Sequence, residues 1–388
     1  MRGAGVRLKS ALAATSLLLL LAACGSATPQ PFPSVQSTSV PAPSAARSSA
    51  TPSGAQPLST QPTGALSTTE RPASQVTEPG AFSHLEALQR IADENGGNRV
   101  AGSAGYEASV EYVVSTLRAD GYDVSTPTYD GSDRRDGPDV TLRNVIAQTS
   151  SGDPDSIVMI GAHLDSVAEG PGIVDDGSGV AVLLEIAHQL GADCECSPGE
   201  AGTSPCGEQC ASLRNGVRFA FFGSEEDGSL GSRGYVNSLS ADERRKVRLY
   251  LNVDMVASPN AGYFVQGGQG DDESASGPPG SAAVARVLAD QLAGTGVTPE
   301  IIEFVGDDEA PFIEAGIPAA GAENGDRRKK TEEQALAWGG QAGEVYDGCY
   351  HSACDRLDNV NRVVLDHYLR AVAGTVAHFA NSSEEPFG

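Results

Sequence analysis

Basic residues are scarce in this chain. Lysine and arginine together number 26 against 51 aspartates and glutamates, a formal net charge of −25 over 388 residues. That balance excludes nucleic acid as a partner, because phosphate binding needs a basic surface. It also disfavours electrostatic docking on anionic lipid, and its plainest consequence is solubility. Long apolar runs are missing too. The stretch at residues 11–23 is too short to span a bilayer comfortably as a mature helix. With 39 % hydrophobic and 20 % charged residues, the composition is that of a globular protein rather than a membrane bundle. Residues 25–80 have too few large apolar side chains to build a core, being dominated by Ser, Thr, Pro, Ala and Gln. No internal repeat and no second folded domain is evident. A monomer is the default expectation.

What is present at the N-terminus is a targeting pattern. Arg2, Arg7 and Lys9 form a positive start, the short apolar run follows, and Leu21-Ala22-Ala23-Cys24 closes it. The small residues before Cys24 resemble a bacterial lipobox. The resemblance implies a signal peptide at 1–23, cleavage before Cys24 and a lipid on its thiol. An ordinary signal peptide with a chance cysteine is the alternative. Residues 24–80 then read as a tether, and 81–388 as one folded domain on the outer face of the membrane. Of the seven cysteines, Cys24 takes the lipid. The other six are an even number in an extracytoplasmic chain, which suggests disulfides. Cys349 and Cys354 are close enough to close a small loop. Cys194, Cys196, Cys206 and Cys210 sit together, with three pairings open and a zinc knuckle as the alternative.

The folded part alternates helices with continuous apolar runs. Helices are expected at 82–95, with Leu85, Leu88 and Ile91 on one face, at 104–120, at 179–190 and at 362–380. Strands are expected near 139–148 and at 156–165, 217–226 and 248–256, with shorter ones at 262–266, 300–305 and 317–321. Apolar strands alternating with helices indicate an α/β domain with a mostly parallel mixed sheet sandwiched between helices.

In such a sheet, ligands bind beyond the carboxyl ends of the strands. The suspicious polar clusters fall there: GAHLDS, VDDGSG, GSEEDG, NVDM and, in a late loop, CYHSACD. They offer a divalent metal His163, Asp175 or Asp176, Glu225 or Glu226, Asp254 and His351. Asp165, two residues after His163, could orient its ring. No thiolate belongs to the set, which suits a catalytic site rather than a structural zinc. Five donors exceed what one catalytic zinc takes and suit two metals sharing a bridging carboxylate.

These stretches, with ENGGNR, GYEASVEYV, LNVDM, SPNAGYFV, WGGQAGEVYDGCYHSACD and LDNV, resemble the secreted two-zinc aminopeptidases of the Streptomyces type, within the zinc exopeptidase superfamily. The similarity runs from about residue 82 to about 378. It implies the phosphorylase/hydrolase-like fold of that superfamily, two Zn2+ ions and peptide substrates with a free N-terminus. By position it implies that Asp175 bridges both zincs. His163 and Asp254 would bind one, and Glu226 and His351 the other. Glu225 would be the general base and then acid, Tyr350 the donor to the oxyanion, and Asp165 and Asp176 the second layer. The Asp175–Asp176 peptide would be cis, and a Cys349–Cys354 disulfide would brace the loop of Tyr350 and His351. Met255 and Glu323 would border the substrate pocket.

Three departures from the family pattern matter. GDDEAPF at 306–312 replaces a longer segment that carries Arg and His in relatives. Glu323 stands where an aromatic is usual, which suggests a preference shifted toward Lys or Arg at the substrate's N-terminus. Late carboxylates that bind calcium in some relatives are represented by Asp366, with Arg370 in the place of another, so no calcium site is expected. His84, His188, His367 and His378 lie on expected helices, away from the clusters. The alternatives are a one-zinc glutaminyl cyclase or a carboxypeptidase on the same fold, or a surface binding lipoprotein without activity.

Overall fold

Three apolar runs become the centre of the molecule because both faces of the strands they form are covered. The structure, a computed structural model, describes residues 75–133, 141–192, 213–268 and 277–383. The signal peptide, Cys24, almost all of the expected tether and the four clustered cysteines lie outside the described residues. The runs form β5 (Asp153–His163), β6 (Asn215–Phe222) and β7 (Val247–Val253), with β5 parallel to β6 on one side and to β7 on the other. β10 (Ala319–Glu323) lies parallel to β7. Beyond it come β8 (Phe264–Gln266), antiparallel to β10, and β9 (Glu300–Ile302), parallel to β8. The opposite edge is β4 (Val145–Gln148) and β1 (Asp123–Ser125), both antiparallel to their neighbours. The sheet order is β1-β4-β6-β5-β7-β10-β8-β9, and β2 (Thr128–Asp130) with β3 (Thr141–Arg143) forms a separate pair.

Side chains alternate between two cores, as the period of two along a strand requires. Val158, Ile160, Val217, Phe219, Phe221, Leu249 and Leu251 face one. It is covered by α1 (Glu78–Glu94), α2 (Ala104–Ala119), α3 (Gly177–Ala192), α6 (Ser281–Gly294) and α9 (Arg362–Asn381). Ile157, Met159, Ala220, Phe222 and Tyr250 face the other, against Tyr235 of α4 (Leu230–Ser238) and Phe312 of α7 (Ala310–Glu314). This is the expected α/β domain with a mostly parallel mixed sheet between helices. Two further short helices, α5 (Ala241–Lys246) and α8 (Glu332–Trp338), each open on a capping box. No helix among the described residues is long and apolar enough to cross a membrane.

The element ends depart from expectation where the site is built. β6 stops at Phe222 rather than at 226, because Gly223 and Ser224 turn the chain, Ser224 at φ 56°. β7 stops at Val253 rather than at 256, and Met255 follows at φ 50°. The strand expected over 139–148 breaks at Asn144, whose side chain bonds Gly231 O and Gly223 N. The first helix starts at Glu78, capped by Thr77, and Ala92 rather than Ile91 is its fully buried residue there.

Candidate active site and metal centre

Because β5, β6, β7 and β10 are parallel, their carboxyl ends open on one side of the sheet. His163 is the last residue of β5, Glu225 and Glu226 sit on the turn after β6, and Asp254 follows β7. Asp175 and Asp176 lie just before α3. His351 arrives from a loop closed by the Cys349–Cys354 disulfide, whose Cα atoms are 5.1 Å apart. Ser224, Met255 and His351 adopt left-handed backbone, at φ 56°, 50° and 52°. Such conformations cost non-glycine residues of order 1 kcal/mol each and concentrate where side chains must be aimed. Here each one is a candidate ligand or lies within two residues of one.

The five expected donors meet. His163 Nε2 lies 3.0 Å from Asp175 Oδ1 and 3.7 Å from Asp254 Oδ1. His351 Nε2 lies 3.1 Å from Asp175 Oδ2 and 2.9 Å from Glu226 Oε2. The two oxygens of Asp175 are thus divided between two imidazoles, each of which has a second carboxylate of its own. Three of these groups, from His163, Asp175 and Glu226, have ligand atoms within 4.8 Å of one another.

The electrostatics of this cluster call for cations. Burial disfavours charge on His351, yet its hydrogen bonds to Asp175 and Glu226 raise its pKa to about 10. Burial, then the charge of Asp175, pushes Glu226 up to about 7. Burial also pushes Asp254 well above the usual carboxylate range, with Asp176 adding to it. Against its own burial, Asp175 is held below that range by its two imidazole partners. Buried carboxylates crowded in this way are stable only with protons or metal among them. Glu226 Oε1 is buried with no hydrogen-bond partner among the described residues. An orphaned buried oxygen facing other carboxylates, in a set of nitrogen and oxygen donors, fits divalent metal.

His163, Asp176 and Asp254 also lie close enough to form a triple. Asp176 is committed elsewhere, however. Its Oδ1 accepts from Gly179 N and Met255 N, and its Oδ2 from His163 N. It knits the ends of β5 and β7 to the start of α3, the second-layer place expected for it. The Asp175–Asp176 peptide is cis. Asp165 is more than a ring acceptor. Its main-chain O lies 3.2 Å from His163 Nδ1 and its carboxylate 3.6 Å away, while Oδ1 accepts from Glu225 N at 3.2 Å.

Two buried residues of this layer were given no role in the sequence reading, although both lie in motifs quoted there. Asp355, two per cent exposed, closes HSACD. Its carboxylate accepts from Val174 N at 2.8 Å and Asp175 N at 3.1 Å, and its main-chain O from Ile173 N. Asp355 therefore ties the disulfide loop to the bridging aspartate, 180 residues away in sequence. Arg99, fully buried, closes ENGGNR and donates to the carbonyls of Leu164, Pro171 and Gly172. It shapes the turn between His163 and Asp175. Asp355→Ala would strand two buried N–H groups, at about 1–3 kcal/mol each. It is expected to weaken binding of a divalent metal at this cluster by roughly 10–100-fold, as loss of outer-shell partners does. Competition against a chromophoric chelator measures this, and unchanged affinity would show that Asp355 does not hold Asp175 in place.

In front of the cluster is a cavity of about 70 Å³. Asp175, Glu225, Asp254, Tyr350 and His351 form its floor, and Met255, Val305, Asp307, Glu323 and Asp326 its remaining wall. Glu225 accepts from Ser229 Oγ at 3.3 Å, and burial raises its pKa well above the ordinary value. Glu323 lines this cavity but is no bare anion. Its Oε1 pairs with Arg328 and its Oε2 accepts from Gln266 Nε2 at 3.0 Å. Asp307, of the divergent GDDEAPF segment, is the freer carboxylate, reached by Gln266 Nε2 only at 3.5 Å.

The other histidines stay apart. His84 bonds Tyr112, and burial lowers its pKa to about 4. His188 pairs with Asp120, and His367 bonds Thr295. Arg370 occupies Asp366 at 2.9 Å.

Residues 144–376 match the model of Peptidase family M28. The chain belongs to this family. It is 42 % identical to leupeptin-inactivating enzyme 1 of Streptomyces exfoliatus, over 75 % of this chain and 59 % of that protein. It is 45 % identical to the probable lipoprotein aminopeptidase LpqL of Mycobacterium tuberculosis, over 63 % of this chain and 47 % of that one. The chain thus spans about half the length of these curated M28 relatives. Among solved structures, an aminopeptidase from Aneurinibacillus sp. strain AM-1 superposes with a TM-score of 0.59 at 19 % identity, covering 82 % of this chain and 98 % of that one. A glutaminyl cyclase of Porphyromonas gingivalis reaches 0.54 at 22 %, covering 79 % and 98 %. At these identities the likeness is one of fold.

Proposed function

We propose that this M28 chain is a metallo-aminopeptidase that uses two zinc ions to hydrolyse the first peptide bond of substrates with a free N-terminus. The observation that supports this most is the division of Asp175, with one oxygen toward His163 and the other toward His351. A single-metal centre, as in the cyclase alternative, leaves one imidazole–carboxylate pair without a task. His163 and Asp254 would hold one ion, Glu226 and His351 the other, and Asp175 both. Bound there, the ions would lower the pKa of water and polarise a carbonyl.

The chain's own residues do the rest. Glu225, on the cavity floor beside the donors, takes the proton of the attacking water and returns it to the leaving amine. Its raised pKa suits it to keep that proton between the two events. Burial and the surrounding carboxylates hold the Tyr350 phenol protonated, so it donates its O–H to the carbonyl oxygen as charge develops there. Glu225 and Asp254 face the substrate's α-ammonium. A required amine at a fixed distance from the reacting carbonyl restricts cleavage to the terminal bond. The lipobox-like sequence and the likeness to a probable lipoprotein aminopeptidase support attachment through Cys24 to the outer face of the cell membrane.

The same reading extends to the first side chain, for which we propose Lys or Arg. Arg328 is engaged by both Glu323 and Asp326, so Asp307 is the wall carboxylate left for a substrate cation to pair with. Aminoacyl-p-nitroanilides test both levels. Lys-p-nitroanilide is expected to exceed Leu-p-nitroanilide in kcat/KM by roughly tenfold, what one charged hydrogen bond supplies. Asp307→Asn should erase the difference, and 1,10-phenanthroline should abolish all hydrolysis. If neither substrate is cleaved, the aminopeptidase reading fails. A Leu preference indifferent to Asp307→Asn removes only the charge selectivity.

A further inference from the structure

The loop that carries Tyr350 and His351 is gripped from outside by one side chain. Residues 326–330 run beside residues 343–347 as a short ladder. Lys330 N donates to Glu344 O, Tyr346 N to Arg328 O and Asp347 N to Asp326 O. Beyond Asp347 the second strand of this ladder leaves for the disulfide loop. Arg327 follows it there. Its Nη2 donates to Tyr350 O at 3.0 Å, and its guanidinium carbon lies 5.4 Å from the centre of the Tyr350 ring. The Tyr350 ring in turn stacks on the His351 imidazole, with centroids 3.8 Å apart and planes at 22°.

These contacts bear on where the phenol points. The Tyr350 hydroxyl makes no hydrogen bond among the described residues, so nothing at its tip fixes it. Its direction depends on what holds the ring and the main chain. The carbonyl that Arg327 grips belongs to the peptide entering His351, which adopts φ 52°. A planar guanidinium can bond a carbonyl and lie over an aromatic face at once, whereas an ammonium is a single point charge. Arg327 is itself exposed and makes no other side-chain contact described above. It lies in a different loop from every candidate metal ligand.

We infer that Arg327 is a positioning residue for hydrolysis. By holding the carbonyl and the ring of Tyr350 together, it aims the phenol at the developing oxyanion. The inference rests on the aminopeptidase reading and on the role given there to Tyr350.

A double-mutant cycle on aminoacyl-p-nitroanilides tests it, with the zinc-loaded enzyme throughout. Arg327→Ala is expected to lower kcat about tenfold, part of the 10²–10³ that a whole oxyanion donor contributes. KM should stay within about twofold, and zinc content and melting temperature should be nearly unchanged, since the mutated side chain is exposed. Arg327→Lys should recover part of the loss through the carbonyl bond alone. In a Tyr350→Phe background, Arg327→Ala should change kcat by less than about twofold, because the group it aims is gone. Losses that multiply in the double variant overturn the inference, as does a loss confined to KM, which would make Arg327 a substrate-binding group. If Tyr350→Phe retains full kcat while Glu225→Gln is inactive, the inference falls and the aminopeptidase reading stands. A wild-type protein without activity on these substrates strikes the reading itself.

Discussion

Glu225→Gln is expected to lower kcat by about 10²–10⁴, the range of a positioned general base, with KM and metal content largely kept. The amide has the shape of the carboxyl and can still accept from Ser229 Oγ, so the turn after β6 should persist. What it loses is the ability to take a proton from water and hand it on. Glu225 differs from Glu226 in just this respect. The Glu226 carboxylate is turned to His351, while Glu225 lines the cavity and is joined to the other half of the centre through Asp165. Burial is the largest cause of the raised Glu225 pKa, and Asp307, Asp308 and Glu226 add to it. A base must be ionised to act, so activity falls as pH drops through its pKa. An acid limb of kcat/KM set by Glu225 should therefore be absent from the residual activity of Glu225→Gln. A glutamine variant with wild-type kcat and an unchanged acid limb would show that another group carries the proton.

Asp175→Ala should have the other large effect. Asp175 is the side chain that faces both imidazoles, so its removal takes a ligand from both halves of the centre. On the proposed two-zinc reading, zinc content measured after dialysis is expected to fall from two per chain to one or fewer. Loss of metal-based charge stabilisation, worth several kcal/mol, lowers kcat by about 10³ or more. The neighbouring aspartate supplies the control. Asp176 accepts three backbone N–H groups, so Asp176→Ala strands buried donors and should lower the melting temperature by several degrees. Its direct effect on zinc stoichiometry should be small. If Asp176→Ala loses metal and Asp175→Ala keeps two ions, the centre is built on His163, Asp176 and Asp254 instead, and the bridging role fails.

Much of this centre was legible before any coordinates. The apolar strands, their common direction and the polar residues at their ends all follow from local pattern, since burial on both faces leaves a continuous hydrophobic run. Strand ends were read too far along at 226 and 256, because left-handed backbone at Ser224 and Met255 carries no hydropathy signal. Asp355 and Arg99 stood inside quoted motifs without a role. Their partners are backbone groups of other segments, and a main-chain N–H leaves no mark on composition. Glu323 lines the cavity in front of the donors, and its pairing with Arg328 was not legible in the sequence, because it depends on how the loop after β10 folds back.

The chain order of residues by itself offered the candidate donors, two imidazoles and a choice of carboxylates at strand ends, before a helix and in the late loop, while the choice of Asp175 over Asp176 and Glu226 over Glu225 came from the family resemblance. The candidate positions depend on neighbours a few residues apart, which local periodicity records. Tertiary structure alone decided which oxygen of Asp175 meets which ring, which three backbone N–H groups Asp176 accepts, and that Asp355 and Arg327 brace the loop of Tyr350 and His351. Each of these is a contact between segments far apart in sequence, created only when the sheet order brings the strand ends together.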